Sequence, residues 1–267
     1  MDFLANYFGS LNPMSFLSAL PGNIAQGIIW GLMGLGVFLT FKLLNFADLS
    51  VDGSFATGGA VTAVMLINGC PVWATIIVAI LAGLAAGLVT GLLHTLLGIP
   101  DILAGILTQI ALYSINLNIM GKSNLPISYR NYTLVVSASN INMAILVGLG
   151  ICAVVIAAMY WYFGTEQGST IRSTGSNPAM SKAQGININV AKVIALALSN
   201  GLVALAGGLL SQYQGFADVN MGRGAIVIGL AAVIIGEVIF GKLFHNIGAK
   251  LLAALRNDCR LVLVGDP

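Results

Sequence analysis

Charge is what this chain has least of: 7% of its 267 residues are charged, with 11 Lys+Arg against 9 Asp+Glu. A water-soluble domain carries about 25% charged residues, so an ordinary hydrated surface is excluded. The few basic residues are scattered and form no stripe interleaved with aromatics, which argues against nucleic acid as a partner. Cysteine is scarce too. Cys70, Cys152 and Cys259 are odd in number and far apart, and they read as small buried hydrophobes rather than a disulfide or metal framework. His94 and His245 stand alone without metal-ligand spacing, so no metal site is expected. No GxxxxGK[ST] phosphate loop occurs, so any nucleotide hydrolysis is expected in another chain, and no cofactor is expected here. The first residues, MDFLANYFGSLNPMSF, show no basic leader and no small-residue cleavage site, so no cleaved signal peptide is expected.

What is present in excess is apolar sequence, with 58% hydrophobic side chains and a mean hydropathy of +0.95. Backbone groups in hydrocarbon must pair within their own segment or in a closed barrel. Continuous Gly- and Leu-rich runs, without in-out alternation, exclude the barrel. The expected fold is therefore all-α, a polytopic transmembrane helical bundle of about seven to eight spans. A crossing needs roughly 20 apolar residues. Seven segments qualify, at about 23–41, 50–67, 72–97, 102–120, 143–163, 193–212 and 224–240. The expected division is a transmembrane domain over 1–245 and an atypical tail over 246–267, where Arg256, Asp258 and Arg260 interrupt an expected eighth crossing and suggest a truncated or altered end.

Orientation follows from the basic residues. Placing the loop with Arg172, Lys182 and Lys192 in the cytoplasm puts Lys42, Lys242, Lys250, Arg256 and Arg260 on the same side. Lys122, Arg130 and Arg223 are then left outside.

Two short stretches share Phe-Ala-Asp: NFADLSVDGSFATGG at 45–59 and GFADVNMGRGAIVIG at 215–229. Under this orientation Asp48 lies on the cytoplasmic side and Asp218 outside, which makes them candidate hinges. Such a pair fits an inverted-topology repeat, or a coincidence in a chain built of few residue types. Gly53, Gly58 and Gly59 flank Asp52, Ser54 and Thr57. An unwound helix here would turn free N–H groups toward a solute carboxylate; an ordinary helix start capped by Asp52 or Ser54 is the alternative. Gln109 and Asn116, seven apart and so on one helical face, are further candidate pathway residues, or hydrogen-bond between helices. Gly83, Gly87 and Gly91, like Gly27 and Gly31, mark smooth faces for helix packing. Glu237, an intramembrane acid, either has a role of its own or pairs with Lys242.

The polar loop over 165–189 carries a short-helix signature. Asn177 is a good N-cap, Pro178 suits the first helical position, and Gly185 suits the stop. A helix of about two turns is marginal alone, so its own bundle or another subunit must hold it.

The run KLLNFADLSVDGSFATGGAV, the segment IPDILAGILTQIALYSINLNIMG and the loop GSTIRSTGSNPAMSKAQGINI, in that order along the chain, resemble permease subunits of bacterial ABC importers. The family is the branched-chain amino-acid permease superfamily, in the branch of tryptophan- and tyrosine-type uptake permeases, and the resemblance covers roughly residues 20 to 245. It implies a cell-membrane transporter for a small solute, expected to be an amino acid. It implies partners as well: an ABC ATPase subunit, an extracytoplasmic solute-binding protein, and a second permease copy or a paired permease. It also implies that Gly168, Arg172, Gly175, Asn177 and Gly185 form an ATPase-coupling motif. Two other readings remain from the residues alone: an ion-coupled secondary transporter using Asp48, Asp52 or Glu237, and an intramembrane enzyme, for which no nucleophile-base pair is visible.

Overall fold

The computed structural model describes residues 13–127, 134–137 and 140–243. His245, Arg130 and the 246–267 tail with its basic residues lie outside them. Helix α1 (Pro13–Phe38) runs into a π-helical turn, Leu39–Leu43. It is followed by α2 (Val51–Ile67), α3 (Val72–Leu96), α4 (Asp101–Met120) and α5 (Ile141–Phe163). Two short helices come next, α6 (Glu166–Ser176) and α7 (Pro178–Ala183), then α8 (Ile188–Gln214) and α9 (Ala225–Leu243). The bundle also holds one small sheet, in which β1 (Asn124–Pro126) pairs antiparallel with β2 (Phe216–Asp218), Asn124 opposite Asp218.

All seven expected apolar segments are helical; among the described residues five are long and apolar enough to cross a membrane, and Val51–Ile67 and the described part of α9, Ala225–Val238, are shorter apolar stretches. Helix α2 has 17 residues and rises about 25 Å, less than the roughly 30 Å of a hydrocarbon core. The expected all-α polytopic bundle is thus what the described residues form, with five helices long enough to cross and two shorter apolar ones.

Helix α8 is the axis of the bundle, and α3, α2 and α1 pack around it. Small residues make this approach close. A methyl on Gly83 or Gly87 would overlap the carbonyl of Asn200 or Leu196, and one on Gly91 would sit 2.9 Å from Val193 Cα. Gly58 and Gly207 allow α2 and α8 to cross with their backbones touching, Gly58 on Ala204 and Gly207 on Phe55. In lipid such faces supply van der Waals contact that apolar solvent cannot. The pair Gly27 and Gly31 does not follow suit, because nothing lies within 4 Å of either prospective methyl.

Contacts fix the chain directions. Tyr213 Oη donates to Gly22 O, and Ser199 Oγ donates to Gly36 O at 2.7 Å, so α1 and α8 are antiparallel. Helix α2 follows α8 in direction, with Ser50 beside Asn200 and Thr62 beside Gly208. Helix α9 follows α1, since Gly229 meets Met33 and Val37 while Glu237 meets Lys42. Short helices α2 and α9 therefore run in opposite directions. One end of the bundle carries Lys42, Lys192 and α6–α7; the other carries the β1–β2 sheet.

At the α6–α7 end, His94 ties α3 to the first turn of α8. Its Nδ1 donates to Ile99 O at 2.8 Å, because a carbonyl can only accept; Nε2 is left to accept from Lys192 Nζ at 3.0 Å. The side chain of Lys242, the partner the sequence suggested for Glu237, lies outside the described ones, and Glu237 is paired with Lys42, at 2.9 and 3.1 Å. Both partners are about half exposed.

Candidate solute cavity and coupling loop

Each Phe-Ala-Asp stretch makes the same local turn. Ser50 N donates to Asp48 Oδ1 at 2.8 Å, and Asn220 N donates to Asp218 Oδ1 at 2.7 Å, so each carboxylate closes a loop two residues ahead. Their settings differ. After the π-helical turn, Asn45 takes the left-handed conformation, φ 55°, which Asn tolerates better than most residues, and the chain folds back into the bundle. Asp48 is fully buried there, and Asn200 Nδ2 donates to its Oδ2 at 2.7 Å. Asn200 is the thirteenth of the 27 residues of α8, about 18 Å from its start. Asp48 thus lies in the interior, halfway along the axial helix, and the expected position at a cytoplasmic mouth is corrected. Asp218 lies at the sheet end, where Asn124 Nδ2 donates to it at 3.3 Å. The offset of 170 positions between the stretches does not carry through, because α2 begins three residues after Asp48 and α9 seven after Asp218.

The second stretch enters the bundle from the sheet end as β2 followed by consecutive turns over 219–224, closed by Met221 N donating to Asp218 O and Arg223 N to Asn220 O. Ala217 and Val219 pack with Ala60, Ala63 and Leu66 of α2, Met221 lies over Gly59, and Gly222 touches the backbone of Asp52. Helix α9 starts there, and Asp52 caps it. Gly224 N donates to Asp52 Oδ2 at 3.0 Å and Ile226 N to Oδ1 at 2.9 Å. These are two of the donors a helix start leaves unpaired, and the carboxylate also meets the positive end of the helix dipole. Asp52 therefore caps α9 rather than its own helix, which is intact from Val51, with glycines used for packing and not unwound. Two helix starts meet inside the bundle.

Beside this junction is a cavity of about 330 Å³, bordered by Asp52, Gln109, Tyr113, Asn116, Val219 and Arg223. Three of the five sequence-derived pathway residues, Asp52, Gln109 and Asn116, come together here. Ser54 and Thr57 do not line it: both are buried, Thr57 Oγ1 donating to Gly53 O at 2.8 Å. Asn116 is fully buried, and neither atom of its amide has a partner among the described residues.

Arg223 was expected outside. Its neighbours Gly222 and Gly224 both contact Asp52, and Gly53 packs on Gln109, ninth of the 20 residues of α4. That level is about 12 Å from one end of α4 and 16 Å from the other, so the guanidinium sits near half depth. It is exposed, and the ring of Tyr113 lies 5.9 Å from it. A charge facing lipid at that depth costs about 3 kcal/mol on the most lenient scale, so such residues face water or protein. The surface bearing Arg223 and Tyr113 is accordingly one that faces water or protein rather than lipid. Neither residue was singled out from sequence. The one available signal was a cation between two glycines, Gly222-Arg223-Gly224, in a run otherwise free of charge. A second cavity of about 270 Å³ lies toward the sheet end, with Trp30, Gln214, Phe216, Asp218 and Asn220 on its walls. The 218–223 segment separates the two.

The coupling-loop residues lie together at the other end. Thr165 caps α6, accepting from Gly168 N at 3.5 Å. Gly168 lets α6 fold onto Phe163, and Gly175 touches Leu43 at the π-helical turn. Arg172 Nη2 donates to Phe163 O at 2.8 Å, placing a cation at the C-terminus of α5 where the dipole favours it. Asn177 Oδ1 accepts from Met180 N at 3.1 Å with Pro178 in the first turn, and Gly185 closes the loop at φ +81°. The short helix is as the sequence specified. Of its residues Ser181 alone is buried, while Pro178, Ala179, Met180 and Lys182 are exposed, Met180 at 45%.

A multi-pass helical bundle with re-entrant chain at half depth, a polar cavity beside it and an exposed capped helix at one end has the build of a membrane permease. The chain belongs to the permease component family of branched-chain amino acid transport systems, whose sequence profile matches residues 22–255. It is 44% identical over 191 residues to the tyrosine transport system permease protein of Clostridioides difficile (strain R20291), covering 71% of this chain and 63% of that protein. It is 31% identical over 182 residues to an uncharacterized protein of Rickettsia prowazekii (strain Madrid E), covering 68% and 64% respectively. The chain thus spans a little under two-thirds of the length of these curated relatives. No solved structure matches it.

Proposed function

We propose that this protein is the membrane component of an ATP-driven importer in a bacterial inner membrane, forming the path for an amino acid of the tyrosine type. The observation that carries the reading is α7, a capped helix held by little more than Ser181 and presenting Ala179, Met180 and Lys182 outward. A six-residue helix is too short to be stable for its own sake, and the amphipathic α6 beneath it is built to present it. An ABC ATPase docks there and supplies the ATP hydrolysis. Gly168, Gly175 and Arg172 seat α6 on the bundle so that a push on α7 reaches the π-helical turn and the Asp48 junction. A solute-binding protein delivers at the sheet end, near Asp218, and two permease copies or a permease pair enclose the path. Asp48 and Asp218 act as the fixed points about which the two re-entrant segments move.

The test uses Met180→Asp, a change at an exposed site that leaves the packing of the bundle untouched. Tagged protein purified from host membranes retains an ABC ATPase, and Met180→Asp loses it while the permease stays folded and monodisperse. ATPase retention unchanged by Met180→Asp contradicts docking at α7.

A further inference from the structure

The cavity beside the α2–α9 junction combines groups that packing alone does not call for. Arg223 is exposed near half depth and meets no carboxylate among the described residues. Asn116 is fully buried on the cavity wall with both amide atoms unpartnered, a state that buried polar groups rarely keep without a ligand or ordered water. Gln109 stands two turns before Asn116 on the same helical face and the same wall, and the ring of Tyr113 closes the side next to the guanidinium. Asp52 accepts one bond at each carboxylate oxygen from the N–H groups at the start of α9, which leaves part of its acceptor capacity unused. A cation, an anion, two amides and an aromatic face thus border one space of about 330 Å³, within the range of small-molecule sites.

We infer that this cavity is a binding site for a zwitterionic amino acid with an aromatic side chain, built within one permease subunit. Arg223 takes the carboxylate, in the fork geometry that guanidinium offers to carboxylates. The free acceptor positions of Asp52 take the ammonium. Tyr113 packs on the solute ring, and the Asn116 amide meets its polar end. The inference rests on the amino-acid permease reading and deepens it, since a path for amino acids need not contain a site that holds one. The 219–223 segment, which carries Arg223 and is pinned through Gly224 to Asp52, then doubles as the wall a bound solute contacts.

Binding is measured with radiolabelled L-tyrosine on the full-length permease with its ATPase in nanodiscs. Tyramine, which lacks the carboxylate, and 3-(4-hydroxyphenyl)propionate, which lacks the amine, serve as competitors. The expected result is that Arg223→Gln weakens L-tyrosine binding at least tenfold, that Arg223→Lys restores part of it, and that tyramine binding is the same in wild type and Arg223→Gln. Loss of tyramine and tyrosine binding together would make Arg223 a folding residue and overturn the inference. Equal tyrosine binding by wild type and Arg223→Gln, or no tyrosine binding by wild type at millimolar concentration, would also overturn it. ATP-dependent uptake assayed in parallel separates the two levels. Uptake that persists when Arg223→Gln binds normally removes this site and leaves the permease reading standing. Arg223-dependent binding without any ATP-dependent uptake keeps the site and removes the importer.

Discussion

The two Phe-Ala-Asp turns use the same residues and the same Asp-to-N–H bond, yet one is dry and the other wet. Asp48 is enclosed by Ser50 and Asn200 halfway along the axial helix, while Asp218 lies at the sheet end on the wall of an open cavity, with Asn220 and Asn124 as its partners. The motif sets the local bend in both places, and the surroundings set the consequence. Where donors are buried, removing the acceptor leaves them without water as a substitute; where they are exposed, water replaces it.

Asp48→Ala and Asp218→Ala put this contrast to the test most strongly. The first removes the acceptor of one Asn200 N–H, whose other bond goes to Leu196 O, and of the Ser50 N–H in the interior, a loss of about 3 kcal/mol when each unpaired buried group costs about 1–3 kcal/mol. The second costs less than about 1 kcal/mol, within the usual range for exposed hydrogen bonds. Thermal unfolding of the purified protein in detergent reads both, and equal shifts in Tm would break the comparison.

The first turn is buried because α2 lies directly on α8, and that approach depends on Gly58. Gly58→Ala forces the two backbones apart at a cost of about 2 kcal/mol, typical of overpacking. Gly27→Ala, with open space around it, stays within about 0.5 kcal/mol of wild type, as substitutions away from packed features do. Comparable losses for the two, measured by the same unfolding assay, would contradict the assigned crossing.

Smaller again is Asp52→Ala, which removes the cap that the first re-entrant segment lends to the second. A cap of this kind contributes about 1 kcal/mol, and hydrogen exchange in the first turn of α9 should rise while exchange in α8 stays unchanged. Smallest is Lys42→Ala: the Lys42–Glu237 pair is about half exposed, so its loss changes stability by less than about 1 kcal/mol. An effect of Lys42→Ala larger than that of Asp52→Ala would reverse the order expected from burial.

Much of this architecture can be read from the sequence because lipid leaves few choices. Uncharged runs define the helices; Asn177, Pro178 and Gly185 define α7; the Gly83-Gly87-Gly91 stripe defines a packing face that α8 occupies. Depth was not legible. Charges and turn residues were assigned to the surfaces, whereas the π-helical turn and left-handed Asn45 send Asp48 inward, and the turns over 219–224 carry Arg223 to the level of Gln109. Hydropathy averages over a span and cannot distinguish a full crossing from two shorter helices whose starts meet. Cross-bundle partners were hidden for a similar reason: Asp52 caps a helix that starts more than 170 positions later, and Glu237 finds Lys42, 195 positions away. Gln109 and Asn116 were recognised through helical spacing, while Tyr113, four residues from Gln109 and three from Asn116 on the same face, carried no signal of its own.

The most direct test of the account is uptake of radiolabelled L-tyrosine into proteoliposomes holding the permease and its ATPase, supplied with the solute-binding protein. The account predicts accumulation that requires ATP on the α7 side and is abolished by Met180→Asp. Accumulation driven by a sodium or proton gradient with the ATPase absent would contradict it.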